Sequence, residues 1–489
     1  MQRAGISLFS GLLSIVLLSM AGSASSAVGW RTNYGLTTQA IATDNLNLAP
    51  GDPISDVGIR IQPSIGIRRD VRRNKLYFQY ALSYLNHFNS TTRNNIRHFL
   101  TANWNSELYS DKLFLDVKAN ADQTLIFPFG PSGGDDFNNT RNTTQTFTYS
   151  VSPYTLLHFK GYADLQLRYT HDQVIYSENI ARDSYSDGVS FNLDSGRRFT
   201  QVPWNVTGEY RRVRYDEQGG PLDFGRDNQF RTTLATVGYQ LSRKWRPNLY
   251  VGYDNNDFAT LQNEPKGAIY GAGVTWTPNP RTELDLAYGH RFFGNNWYMT
   301  FNHKQRRSVF RANLTHDIQT SRDETLNRRT FQPDDPFGNP VIDPITGQPI
   351  ELIDDTPTLS TQAYVLSRFD LGYNLLLNRR DTVGLSAYYT IRDYQVTLRE
   401  ELRRGINASW SHGLSANTNA NLRLWWEKFR LASDVSDDTT WRISLGVTHR
   451  LTKRTSLSLD LRHLERDSAT PLLDYTENRV TLTLGTSWK

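Results

Sequence analysis

Apolar and polar positions alternate along most of this chain. In its last fourteen residues, Thr476 to Lys489, one side holds Val480, Leu482, Leu484, Thr486 and Trp488, and the other holds Thr481, Thr483, Gly485 and Ser487. A period of two predicts a strand, because successive side chains on extended backbone point to opposite faces. The apolar side lacks the charges by which a water-exposed edge strand avoids pairing.

The pattern repeats upstream. Leu113, Leu115, Val117 and Ala119 oppose Asp116, Lys118 and Asn120; Leu165, Leu167 and Tyr169 oppose Asp164, Gln166 and Arg168. Leu284, Leu286 and Tyr288 oppose Glu283 and Asp285, and Leu422, Leu424 and Trp426 oppose Asn421, Arg423 and Glu427. Trp441, Ile443, Leu445 and Val447 oppose Arg442 and Ser444, and Leu457, Leu459 and Leu461 oppose Asp460 and Arg462. Many segments reach the ~9–11 residues that a tilted strand needs to cross a bilayer, where soluble strands centre on ~5–6. Trp276, Tyr298 and Trp426 fall near segment ends, as interfacial aromatics do. The expected fold is all-β: a transmembrane antiparallel up-and-down β-barrel.

Connections come in two kinds. Short ones, often basic, fall at 69–74, 242–247, 278–281, 304–307, 378–381 and 451–454. Longer ones, often rich in Asp, Asn, Gly and Pro, fall at 44–56, 127–141, 217–227, 321–359 and 434–438. Short periplasmic turns and longer extracellular loops are the rule in such barrels. At roughly 21 residues per strand and connection, residues 28–489 hold about 22 strands, on the order of 18 to 24. The least distinct segments are 30–43, 187–196 and 363–376.

Composition narrows the picture. Mean hydropathy is −0.56 with 38% hydrophobic residues, too polar for a helical membrane protein but not for a barrel, where alternate residues face lipid. Residues 1–27 read as a signal peptide: Arg3, a mostly apolar stretch from Ile6 to Met20, and Ser25-Ser26-Ala27 at the cleavage site. Strand-like sequence begins just after Val28, so residues 28–489 are expected to form one barrel domain without a folded amino-terminal plug. The chain has no Cys, which excludes disulfides and thiolate chemistry. A net charge of +5 makes no case for nucleic acid.

Candidate chemistry lies on the polar faces. A barrel of this size is too wide for side chains to fill. Asp116, Arg168, Glu283, Asp285, Arg423, Arg442, Asp460 and Arg462 are therefore the pore-lining candidates. Two readings stand: a mixed-charge channel wall for hydrated, anionic glycans, or charges that pair across strands and solvate the lumen. Residues 330–357 hold six Pro, six acidic residues and no Lys or Arg. The acids Asp334, Asp335, Asp343, Glu351, Asp354 and Asp355 are candidates for a loop constriction, with a solvated outer loop as the alternative. Their spacing matches no defined calcium loop, so no metal or cofactor is expected. Trp425-Trp426 offers one ring to lipid and one to the lumen. No G-x-S-x-G, H-E-x-x-H or Walker motif occurs. His171-Asp172 and His316-Asp317 are adjacent on strands, so each pair splits between two faces and makes a poor catalytic dyad. No catalytic residue is assigned.

Several blocks resemble the outer-membrane β-barrel proteins found with PEP-CTERM/exosortase exopolysaccharide systems. They are Thr43-Asp44-Asn45-Leu46-Asn47-Leu48, Phe127-Pro128-Phe129-Gly130-Pro131, Ser150-Val151-Ser152-Pro153-Tyr154, Leu167-Arg168-Tyr169-Thr170-His171-Asp172 and Leu193-Asp194-Ser195-Gly196. The strongest runs from Gly273-Val274-Thr275-Trp276 through Pro280-Arg281-Thr282-Glu283-Leu284 to Gly289-His290-Arg291-Phe292-Phe293-Gly294. The resemblance implies an outer-membrane barrel linked to polysaccharide export or biosynthesis, and carries no active site; the preferred reading is a porin-like channel taking part in exopolysaccharide export. The partners it implies are outer-membrane lipid and lipopolysaccharide, the barrel assembly machinery, exopolysaccharide and periplasmic export proteins. A general diffusion porin and a non-conducting scaffold for a polysaccharide complex are the alternatives. Lys489 after the terminal aromatic departs from the usual final Phe of such barrels.

Overall fold

The structure, a computed structural model, describes residues 29–488 except 128, 139, 179–181, 217–226, 263, 328–358 and 432–436. The expected signal peptide, the six loop acids from Asp334 to Asp355 and Lys489 lie outside the described residues.

Twenty-two strands follow one another: β1 Trp30–Thr43, β2 Asp56–Val71, β3 Asn74–His87, β4 Asn95–Tyr109, β5 Leu113–Leu125, β6 Thr143–His158, β7 Ala163–Tyr176 and β8 Ser184–Ser195. Next come β9 Trp204–Tyr215, β10 Asn228–Gly238, β11 Trp245–Asn255, β12 Lys266–Asn279, β13 Thr282–Arg291, β14 Gly294–Lys304 and β15 Ser308–Thr320. A one-and-a-half-turn helix, α1 Ser321–Leu326, precedes β16 Ala363–Leu376, β17 Asp381–Tyr394, β18 Glu400–Gly413, β19 Thr418–Leu431, β20 Asp438–Arg450, β21 Thr455–Asp467 and β22 Tyr475–Trp488. Each strand pairs antiparallel with its neighbours in sequence. β22 pairs with β1 from Tyr34 opposite Trp488 to Thr43 opposite Arg479, which closes the barrel and leaves no edge. The expected strand number is met, and two of the least distinct segments, 30–43 and 363–376, are β1 and β16.

The alternation turns the usual soluble pattern inside out. On β20, Trp441, Ile443, Leu445 and Val447 are exposed on the outer face while Thr440 and Thr448 are buried on the inner one. β22 repeats this, with Val480, Leu482 and Leu484 outside and Glu477, Arg479 and Thr483 inside. An apolar exterior carries no penalty where the surrounding solvent is lipid, and closure pairs every strand within the sheet. With an even strand number both described termini lie at one end, together with ten turns. The other eleven connections, including 44–55, 126–142 and 321–362, lie at the opposite end. By the rule stated above, the termini end is periplasmic.

No single hydrophobic core fills the barrel among the described residues. Small buried clusters sit instead near the loop end, one of Ile41, Leu46, Leu85 and Phe137, another of Val213, Phe230, Phe258 and Ala363.

Candidate functional site: a lumen narrowed by two inward segments

The first inward segment is residues 126–142, between β5 and β6. Its apolar anchor is Phe137, fully buried against Ile41, Leu46 and Leu85, with the His87 ring 4.9 Å away and the Arg479 guanidinium 4.7 Å above it. Polar anchors flank it. Asp136 forms an ion pair with Arg60 of β2. Asn138 donates to Glu477 of β22 at 2.8 Å and accepts from Arg479. On the other flank, Arg466 donates to the carbonyls of Gly130 at 3.0 Å and Phe129 at 2.6 Å, and the Phe129 ring packs on Phe429 at 5.1 Å.

Between these anchors the tip lies on an arc of arginines. Asp135 accepts from Arg479 at 2.5 Å and lies 3.4 Å from Arg462, while Arg462 also donates to the Gly133 carbonyl at 2.9 Å. Burial alone would raise the Asp135 carboxyl, but Arg479, Arg462 and Arg60 hold it far below the usual carboxylate range. Glu477 sits beneath and takes charge-assisted bonds from Arg462 at 2.5 Å and Arg479 at 2.8 Å. Arg442 of β20 completes the arc. It stacks over its cross-strand partner Trp425 at 4.8 Å and abuts Gly134, yet makes no ion pair among the described residues. Its buried Nε and the indole Nε1 of Trp425 have no hydrogen-bond partner among the described residues.

The second inward segment is α1. Thr320 caps it, with a reciprocal capping box to Asp323. Three successive side chains then fasten it across the lumen. Arg322 pairs with Asp172 of β7 and donates to Ser184 of β8 at 2.9 Å. Asp323 pairs with Arg211 of β9. Glu324 accepts from Arg392 of β17 at 2.8 and 2.9 Å and from Tyr364 of β16. Arg392 is fully buried and is also held by Glu401 at 2.7 Å. Burial works to raise Asp323, but Arg211, Arg322 and the Thr320 hydroxyl keep it below the ordinary carboxylate value.

A cavity of about 1100 Å³ separates the two segments. Gly134 borders it on one side, and Asp323, Thr325, Leu326 and Asn327 on the other. Arg60, Arg211, Arg291 and Arg423 face Asp172, Asp317 and Asp323 around its wall.

The residues singled out in the sequence separate into groups. Arg423, Arg442 and Arg462 fall on the inner face of β19, β20 and β21, near the 126–142 tip, with Asp460 on the same face as Arg462. Asp116 and Arg168 meet at 2.8 Å across β5 and β7, under the Tyr154 ring. Asp285 accepts from Thr275 at 2.6 Å on β13, with Glu283 exposed two residues earlier toward the termini end, away from both segments. The histidine pairs split as expected. His171 bonds Asp187 at 2.9 Å while Asp172 holds Arg322, and His316 bonds Ser367 at 2.6 Å while Asp317 holds Arg291 at 2.5 Å. Sequence reasoning passed over Asp135, Asp136, Arg60, Arg479, Glu477 and the three pins of α1. The one local signal was Gly133-Gly134-Asp135-Asp136, in a connection already noted for its Asp and Gly content.

No protein-family model and no curated protein matches the chain. Solved structures do. A siderophore receptor from Acinetobacter baumannii aligns with a TM-score of 0.50 at 9% identity, over 94% of this chain and 80% of the receptor. A variant of the ferric enterobactin receptor from Pseudomonas aeruginosa, in complex with enterobactin, aligns with a TM-score of 0.50 at 9% identity, over 94% and 81%. At such identity the likeness is one of fold. The chain is an outer-membrane β-barrel, its apolar face toward lipid and its polar face toward the lumen.

Proposed function

We propose that the protein is an outer-membrane channel for an anionic envelope polymer, in keeping with its resemblance to barrels of exopolysaccharide loci. The Asp135 tip acts as its gate. One observation carries this reading: the carboxylate of Asp135 sits on an arc of wall arginines, next to Gly134 at the border of the cavity, where a carboxylate of an acidic sugar would bind. Arg442 supports it, since the arc holds a cation that the described part of the segment does not neutralise. Asp135 is 34% exposed at its side chain, so a competitor reaches it without first unseating buried Phe137. Trp425 beside Arg442 adds the flat ring on which sugars stack. The pore-lining set then divides in labour, with Arg423, Arg442 and Arg462 meeting the polymer and Asp116, Arg168, Glu283, Asp285 and Asp460 wetting the wall. Transport is passive, with energy supplied by partners.

The test is single-channel conductance of the refolded protein in a planar bilayer, with and without an acidic polysaccharide. Block by the acidic polymer and not by a neutral one of equal length supports the proposal. Equal conductance with and without polymer turns the reading to a general diffusion porin. A folded barrel that conducts under no condition, with Asp135→Ala included, leaves the scaffold.

A further inference from the structure

The termini end carries a charge pattern that the channel reading does not use. Its ten turns contain fifteen Lys and Arg against one acid, Asp111, whereas the eleven connections at the opposite end contain eight against twenty-three acids. Six of the ten turns hold adjacent cations, such as Arg243-Lys244, Arg306-Arg307 and Arg379-Arg380. All fifteen are exposed. Among the described residues only one of them, Arg73, has an ion pair, at 3.5 Å from Glu107. Adjacent like charges in a short turn repel, and a single ion pair among the described residues offsets little of that cost.

The same turns also expose apolar side chains. Leu241 precedes Arg243-Lys244, Leu377 precedes Arg379-Arg380 and Leu451 precedes Lys453-Arg454, each about half exposed or more. Cations here rest on exposed rings: Arg198 lies 4.1 Å over Tyr162. Apolar groups beside Lys and Arg are the pattern of a membrane interface, where the rings and Leu meet the acyl boundary and the cations reach phosphates. The pattern also runs round the perimeter, with cations in nine of ten turns. A soluble acidic protein would need one arc, and a polymer entering the mouth would have no use for the exposed leucines.

We propose that this ring is a binding surface for anionic phospholipid headgroups of the periplasmic leaflet, and that it holds the barrel at a fixed depth and orientation. The experiment is quenching of Trp fluorescence by brominated phosphatidylglycerol against brominated phosphatidylcholine, in bilayers of the two lipids. Wild type is compared with a variant in which Arg243, Lys244, Arg306, Arg307, Arg379 and Arg380 are all changed to Gln, and with a control in which the five arginines of that set become Lys. Folding of each is checked by its heat-modifiable gel mobility. The expected result is a preference for the anionic lipid of roughly fivefold, lost in the Gln variant, kept in the Lys control and weakened by salt. Equal quenching by both lipids in wild type overturns the proposal. So does a Gln variant that keeps its lipid preference but is no longer blocked by acidic polysaccharide from the termini side, which would assign the ring to the polymer.

Discussion

The two segments that narrow the lumen are held by different means. Every charge on α1 has a partner in the wall: Arg322 with Asp172, Asp323 with Arg211, and Glu324 with Arg392, which Glu401 also holds. The 126–142 segment has buried anchors at Phe137 and Asn138, but its tip is exposed at Gly134 and Asp135 and rests on more arginines than it has acids. A balanced buried network punishes any departure, because each partner left behind is an uncompensated charge. An unbalanced, solvent-reachable one exchanges its occupant at low cost. The difference makes α1 part of the wall and the tip, Gly133 to Asp135, the part that moves. Within that tip only Gly133 is buried, and the tip ends where the Asp136–Arg60 pair begins.

The largest effect expected from breaking this comparison is in α1. Arg322→Ala strands Asp172 in the wall, a loss of about 3–5 kcal/mol for a buried pair. The route of relief is release of the helix, so amide exchange across Ser321–Leu326 is expected to accelerate by about a hundredfold or more. Unchanged exchange there would remove the distinction between the segments. Asp135→Ala should cost far less, about 1 kcal/mol or below, since Glu477 still holds Arg462 and Arg479. Its signature is functional: the open-channel current rises while the unfolding midpoint in urea barely moves. A drop in stability as large as that of Arg322→Ala would make the tip a structural element like α1.

How much of this was legible beforehand follows from what each feature depends on. Strand number, alternation and the two ends depend on local period and connection length, which a single sequence carries in full; even β1, with its mixed Trp30–Thr43 face, came through. Arg442 and Arg462 were legible as inward cations because parity along β20 and β21 assigns their face. Their partners were not. Asp135 lies more than three hundred residues from Arg462 and Arg479 in the chain, and only closure of β22 onto β1 brings that wall round to the 126–142 segment. The same holds for Arg322 and Asp172, 150 residues apart. The acidic stretch 330–357 stands out by composition, whereas the residues that enter the lumen beside it, Arg322 to Glu324, carry an ordinary mixture of charges.

A smaller effect is expected at Gly134. Its φ of +75° lies in the left-handed region, and a Cβ there would come 2.7 Å from Cζ and Nη1 of Arg442. Gly134→Ala therefore strains the tip and pushes on the stacked guanidinium at once, at a cost of about 1 kcal/mol. If the tip is the moving part, that strain is felt only in the closed state, so the variant should open more often with little change in overall stability. Shorter open times than wild type would mean that the closed tip tolerates the methyl group and that Arg442 does not support it.

The smallest expected effect is none, and it concerns acid. A carboxyl whose folded pKa lies below its unfolded value contributes stability that is fully present above the unfolded pKa and is lost as pH falls through the folded one. Asp135 and Asp323 are both held below the ordinary carboxylate value, Asp135 far below it. The contacts of Asp135 and Asp323 should therefore persist when pH falls from about 7 to about 5. Open probability in the planar bilayer should be flat over that step. A rise would show that another group loosens the tip.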